Sequence, residues 1–182
     1  MAIPIQKESY YANFIGGENL PAKVGHVNAV ISDINVGGSF YNSTTLTTAA
    51  INTEYAAATP TTVYAEGVAY GSNSIVLAEP GTYSFDFTIQ VFKNNTTTEG
   101  SLTAWLKVGS TNQDFTANTI SLAISSQIGV LTLHSHIVAT AVNTRVTLMY
   151  AANSTDMQIK ASAASAPYPA IASVTLEVDK IR

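Results

Sequence analysis

The chain has 182 residues, of which only 11% are charged, and it contains no cysteine. Soluble domains average roughly 25% charged residues, whereas the polar residues here are mostly Thr, Ser and Asn. The net charge of −4, with Lys and Arg scattered along the chain, argues against a basic patch for nucleic acid or an anionic membrane. The missing cysteines exclude disulfides, thiolate metal sites and Cys nucleophiles.

Neither end of the chain nor its middle has the pattern of a membrane or secretion segment. No stretch reaches the roughly 18 apolar residues that a membrane span needs. The first residues, Met1–Glu8, lack the basic and then apolar layout of a signal peptide. We therefore expect a chain that folds in the cytoplasm where it is made. Its surface of hydroxyls and amides is typical of a protein partly covered in an oligomer or lattice.

Residues 1–40 differ from the rest and are predicted to form an N-terminal arm. They contain an aromatic cluster, followed by apolar residues at i, i+3, i+4 and i+7, which is the stripe of a short amphipathic helix. Two interpretations stay open: a helix that lies on the main domain, or an anchoring arm that packs on a partner. The candidate partner-binding residues are Tyr10, Tyr11, Phe14, Val27, Val30, Ile31 and Ile34.

Residues 41–182 are predicted to form one all-β domain. The clearest strand follows the Pro80-Gly81 turn, where Tyr83, Phe85 and Phe87 begin an alternation of large apolar and polar residues. About eight to ten antiparallel strands at this spacing indicate a β-sandwich or jelly roll. The predicted strands are Leu46–Ile51, Thr61–Ala69 with a bulge at Gly67, Ser74–Glu79, Tyr83–Phe92, Leu102–Val108, Thr119–Ser125, Gly129–Thr140, Thr144–Ala152, Met157–Ala163 and Ala170–Lys180.

Two histidines are the strongest candidates for chemistry. His134 and His136 fall on the same face of a predicted strand, a geometry that suits two metal ligands. A third ligand is missing from that strand, so we favour the interpretation that the pair lines a surface or a subunit interface. No Gly-x-Ser-x-Gly elbow, paired carboxylates or phosphate loop is present in the sequence. We expect no catalytic, cofactor or metal site, and no enzyme activity.

The side chain of the single tryptophan is predicted to lie on the face of its strand that points away from the main core. Trp105 shares its face with Thr103 and Lys107, opposite the face of Leu102 and Leu106. It is either a core residue of a second layer or an interface anchor, a position where Trp is enriched. We favour the interface, and so Trp105 joins His134 and His136 as a candidate trimer-interface residue.

Several segments resemble known structural proteins. Pro80–Phe87 resembles the turn and strand of the trimeric jelly rolls in complement globular heads and tumour-necrosis-factor-like ligands. Four later segments resemble, in the same order, a family of tailed-bacteriophage structural proteins: Ala104–Lys107, Arg145–Tyr150, Asp156–Ala161 and Ala166–Leu176. The resemblance covers roughly residues 40–182. Ala172 departs from it, because the family usually has Pro there, and Tyr150 stands in place of a Trp.

The resemblance implies a non-enzymatic virion component that is a homotrimer. The leading hypothesis is a capsid-decorating cement or knob protein, with the jelly roll outward and the arm on the major capsid protein or another virion protein. The alternative is a tail or fibre protein whose exposed loops bind a host-surface glycan, for which Tyr168, Tyr64 and Tyr70 are candidates. A carbohydrate-active enzyme on the same fold would need carboxylates clustered around His134 and His136.

Overall fold

The computed structural model describes residues 36–94, 98–123 and 127–181. All regular secondary structure in those residues is β-strand, and all the strand pairs are antiparallel. None of the described segments is a helix long and apolar enough to cross a membrane. The predicted arm helix, with Val27, Val30, Ile31 and Ile34, lies outside the described residues, as does the aromatic cluster.

Two curled sheets form a β-sandwich-like arrangement. The strands are β1 (Gly37–Asn42), β2 (Leu46–Thr47), β3 (Tyr55–Ala56), β4 (Thr61–Glu66), β5 (Val68–Gly71), β6 (Ser74–Leu77), β7 (Gly81–Lys93), β8 (Gly100–Val108), β9 (Thr111–Leu122), β10 (Ile128–Ala139), β11 (Thr144–Ala152), β12 (Met157–Ile159) and β13 (Val174–Lys180). The seven-stranded sheet runs in the order β2-β12-β7-β13-β1-β4, with β10 on the other side of β7. The six-stranded sheet runs in the order β5-β6-β11-β8-β9, with β3 paired to β11.

Strand β7 confirms the predicted alternation. Tyr83, Phe85, Phe87, Ile89 and Val91 all point into the core and are almost fully buried. Because β7 pairs with β10 along one edge and with β13 and β12 along the other, it is an interior strand of its sheet. Burying one such side chain contributes about 1.5–3 kcal/mol. Because all five side chains are buried, this face of β7 belongs to the core and is not a binding surface.

The six-stranded sheet supplies the facing wall of the core. Leu102, Ala104 and Leu106 of β8 are buried, as predicted, and they alternate with the half-buried Trp105 and Lys107. On β11 the buried residues are Val146, Leu148, Tyr150 and Ala152. These inward faces and that of β7 belong to one hydrophobic cluster.

Several predicted strand bounds are wrong, and the thirteen strands of the described residues exceed the predicted eight to ten. Leu46–Ile51 and Met157–Ala163 shorten to β2 and β12, while the last strand begins at Val174 and not at Ala170. Strand β1 was not predicted, yet it lies between β13 and β4. The sheet therefore includes residues 37–40, which the sequence analysis placed in the arm.

Gly67 breaks Thr61–Ala69 into two strands of different sheets. Its φ of +67° is a left-handed conformation that favours glycine. A β-carbon there would lie 2.8 Å from Cγ1 of Val36. The chain passes from β4 in the seven-stranded sheet to β5 in the six-stranded sheet at this point. Gly67 is thus the crossing between sheets and not a bulge within one strand.

Candidate functional site

The outward side of strand β10 is an exposed strip that runs along the seven-stranded sheet. Every second residue of β10 is exposed, whereas Leu131, Ser135, Ile137 and Ala139 between them are buried. Three of the exposed residues are large and apolar, although a face toward water is normally polar. We define the β10 outer face as Ile128, Val130, Thr132, His134, His136 and Val138.

The two histidines lie at the centre of the β10 outer face. Their rings meet edge to face, with centroids 5.0 Å apart, so the sequence placed them correctly on one face. Nδ1 of His134 lies 2.7 Å from Oδ1 of Asp86, which is directly opposite on β7. Oγ of Ser84 is 3.5 Å from the same His134 nitrogen. A carboxylate from a neighbouring strand therefore holds the orientation of His134.

Carboxylates continue the polar part of this surface onto β13. Glu177 lies opposite Asp86, and Asp179 lies opposite Ser84. Partial burial, followed by the negative charges of Asp179 and Glu177, raises the pKa of Tyr64 on β4. Within the described ranges, no group of three His, Asp or Glu side chains could hold a metal ion.

Trp105 lies on the other sheet and does not share a surface with the histidines. Its indole Nε1 donates a hydrogen bond to Oδ1 of Asn112 at 2.9 Å. Nζ of Lys107 lies 2.9 Å from Oε2 of Glu54, and Nδ2 of Asn112 donates to the other oxygen of Glu54 at 3.5 Å. The half-buried Trp105 thus has a local hydrogen-bond partner that ties β8 to β9, and the candidate interface residues lie on two different sheets.

A groove opens where β1 ends and the segment after β12 folds back. Its cavity volume is about 550 Å³, within the range of about 300–1,000 Å³ that small-molecule sites occupy. We name it the Tyr41 groove. Its lining residues are Tyr41, Ser43, Thr45, Ala161, Ser162, Ala163, Ala170, Ile171 and Ala172.

The tyrosines considered for glycan binding are spread over the molecule. Tyr168 is exposed at the tip of the 162–171 hairpin, near the Tyr41 groove but not in its lining. Tyr64 is exposed on β4, whereas Tyr70 is half-buried on β5 of the other sheet and donates a hydrogen bond to Asn73 Oδ1. Tyr64 and Tyr70 therefore do not form a pair on one sheet.

Neither the contact between Asp86 and His134 nor the groove was predicted from the sequence. Asp86 was assigned to the polar face of its strand, but its position opposite His134 depends on the β7–β10 register, which no local pattern encodes. The groove joins residues from three separated segments, 41–45, 161–163 and 170–172. No local sequence pattern indicates that these three segments meet.

Neither a protein-family model nor a curated protein sequence matches the chain. Among solved structures, the chain is similar to PRD1 vertex protein P5, with 18% identity over 82% of this chain and 99% of that chain, and a TM-score of 0.47. It is also similar to a crystal structure of murine APRIL, with 9% identity over 79% of this chain and 97% of that chain, and a TM-score of 0.48. At these scores, neither likeness assigns a function or partner to this chain.

Proposed function

We propose that this chain is a non-enzymatic structural protein of a bacteriophage virion. It forms a homotrimer of jelly-roll domains that decorates the capsid, and the arm that precedes strand β1 binds the major capsid protein or another virion protein. The single observation that carries the proposal is the β10 outer face, an exposed strip in which three of the six side chains are large and apolar. The ordered resemblance of four segments to tailed-phage structural proteins supplies the virion setting.

The β10 outer face has the composition of a contact surface. Ile128, Val130 and Val138 flank the histidines on one strand, and all three are more than half exposed in the single chain. Scattered exposed apolar residues are ordinary, but three on the outward side of one strand, beside a pair of histidines, favour an interaction site. Asp86 and the histidines supply polar groups that can form hydrogen bonds across such an interface.

The arm supplies the attachment to the particle in this proposal. Burying Tyr10, Tyr11 and Phe14 would contribute about 1.5–3 kcal/mol for each residue. Three linked arms per trimer would bind more tightly than one, because the second and third contacts form within the same complex. The few charged residues and the missing cofactor motifs agree with a role in assembly and not in catalysis.

Light scattering on the full chain tests the homotrimer directly. We expect a mass about three times the 19.2 kDa of one chain at micromolar concentration, and a mass of one chain would contradict the proposal.

Attachment to the particle is tested by replacing Tyr10, Tyr11 and Phe14 together with Ala in the phage. We expect particles that lack the protein although the variant still forms trimers. Particles with full occupancy would overturn the role of the arm.

The second candidate function keeps the fold and the trimer but places the protein in the tail or a fibre, where exposed loops bind a host-surface glycan. The Tyr41 groove favours this candidate, because it is an open site lined by hydroxyl-bearing residues and alanines at the end of β1 and in the neighbouring loops. A cryo-EM reconstruction of the virion separates the two functions: density on the capsid shell supports decoration, and density on the tail supports receptor binding.

A further inference from the structure

We propose that the Tyr41 groove is a binding site for a neutral saccharide. The proposal deepens the second candidate function by giving it a site and a ligand class. It rests on that function only for its biological setting. Saccharide binding can be measured whether the chain is a monomer or a trimer. A failure of the binding test is therefore distinguishable from a failure of the proposed homotrimer.

One wall of the groove is fixed by buried hydrogen bonds. Asn42 is buried, and its side chain donates to the carbonyl of Ala58 at 2.8 Å and accepts from the backbone N–H of Thr44 at 2.8 Å. The hydroxyl of the fully buried Ser173 donates to the carbonyl of Thr44 at 2.7 Å. Residues 42–45 are therefore held in place before any ligand arrives, which lowers the entropic cost of binding.

The opposite wall is a pair of extended segments. Ser162 and Ile171 exchange both backbone hydrogen bonds, at 3.0 and 2.9 Å. The backbone N–H of Ala161 donates to Oγ1 of Thr45 at 3.2 Å, which ties this wall to the first. The Tyr41 groove is thus preformed by contacts between residues more than a hundred positions apart.

The lining offers the groups that a sugar ring needs. Tyr41, Ser43, Thr45 and Ser162 carry hydroxyls, each of which can donate and accept a hydrogen bond. Within the part of the chain that the structure describes, neither the Tyr41 nor the Ser43 hydroxyl is engaged by another protein group. The methyl groups of four alanines and the side chain of Ile171 provide apolar surface between these hydroxyls, matching the mixed polar and C–H surface of a saccharide.

Charge decides the class of saccharide. Among the nine described residues that line the groove, none is Asp, Glu, Lys or Arg. Lys160 lies next in sequence, but its ammonium group sits 3.7 Å from the centre of the Phe92 ring. An anionic sugar would lose hydration without gaining an ion pair, and the chain's net charge of −4 opposes its approach. A neutral saccharide bears neither cost.

The test is an array of neutral and sialylated oligosaccharides probed with the full chain, with lactose and sialyllactose as a matched pair. We expect retention of at least one neutral glycan and weaker retention of its sialylated counterpart. The bound glycan is then titrated into protein with labelled alanine methyl groups. The shifts should be largest at Ala161, Ala163, Ala170 and Ala172.

Two substitutions on the same hairpin locate the site. Ala170 and Ala164 are both exposed, but only Ala170 lines the groove. Ala170→Trp should reduce binding at least tenfold by filling the groove, whereas Ala164→Trp should leave it unchanged. Tyr41→Phe removes one hydroxyl and should weaken binding about five- to tenfold. The proposal is overturned if no neutral glycan is retained, if the sialylated partner binds better, or if Ala170→Trp binds as well as Ala164→Trp.

Discussion

The side-chain oxygen of Thr116 accepts a hydrogen bond from the backbone N–H of Leu106 at 2.7 Å. Strand β9 bulges at this point, because Ala104 pairs with Asn118 while Leu106 pairs with Gln113. The Thr116 hydroxyl donates in turn to the carbonyl of Gln113 at 2.7 Å. Thr116 is fully buried, so one hydroxyl replaces the ladder hydrogen bonds that the bulge removes.

Thr116→Val tests this replacement, because valine keeps the shape of threonine and loses the hydroxyl. The buried N–H of Leu106 would be left without a partner, which costs about 1–3 kcal/mol. Urea unfolding should show this loss in the free energy of unfolding. The control is Thr119→Val on the same strand: Thr119 is exposed and pairs with the Thr103 hydroxyl at 2.8 Å, so we expect a change within about 0.5 kcal/mol. Equal losses in both variants would refute the role given to Thr116.

The same bulge explains which part of the fold could not be predicted. Alternation predicted β7 and β8, because their buried and outward residues alternate, apart from the buried Ser84 on β7. In β9 only Thr119–Leu122 was predicted, since the bulge at residues 114–117 interrupts the period of two. Strand β1 was missed because Gly37-Gly38 reads as the end of a helix.

The candidate sites could also be predicted only in part. The outward placement of His134, His136 and Trp105 follows from the period of each strand and was predicted. What each of them contacts depends on which strands are neighbours, and the sequence carried no signal for the Asp86 contact or for the separation of Trp105 from the histidines. The Tyr41 groove depends on contacts between the end of β1 and segments that lie outside the strands.

Gly38→Ala should destabilise the protein by overpacking the core. A β-carbon at Gly38 would lie 2.7 and 2.8 Å from ring carbons of Phe40 and 2.8 Å from Cγ2 of Val68. Phe40 is almost fully buried, so its ring cannot move without disturbing its neighbours, and we expect a loss of about 1–3 kcal/mol. Gly71→Ala is the matched control, because nothing lies within 4 Å of its added carbon. Denaturant midpoints that fall equally for both variants would contradict this account.

Stability should fall in alkaline solution partly through Tyr150. This residue is 2% exposed and donates to the carbonyl of Thr47 at 3.2 Å. Burial, followed by the nearby Tyr55, raises the pKa of Tyr150 to about 12 from 10.0. As the pH rises, the unfolded chain therefore loses the Tyr150 hydroxyl proton at a lower pH than the folded chain does. The stability that Tyr150 contributes is fully retained below about pH 10 and is lost as the pH rises toward about 12.

Urea unfolding measured across that pH range checks the assignment. Tyr64, Tyr70 and Tyr83 also have raised pKa values. Several tyrosines therefore contribute to the slope with which the wild-type free energy of unfolding falls as the pH rises. Tyr150→Phe should show a smaller loss of stability with rising pH than the wild type. The exposed Tyr168→Phe should keep the wild-type slope. An unchanged slope in Tyr150→Phe would remove Tyr150 as a source.

Lysine substitutions test whether the β10 outer face forms the subunit contact of the proposed homotrimer. Val130, Val138 and Val142 are 59%, 64% and 63% exposed, but only the first two lie on the β10 outer face. Val130→Lys and Val138→Lys would each place a charge in the subunit contact, where desolvating it is costly. We expect at least a tenfold higher dissociation constant by light scattering on dilution. Val142→Lys adds the same charge beyond the end of β10 and should leave the trimer intact. Dissociation by Val142→Lys alone, or by none of the three, would place the contact on another surface.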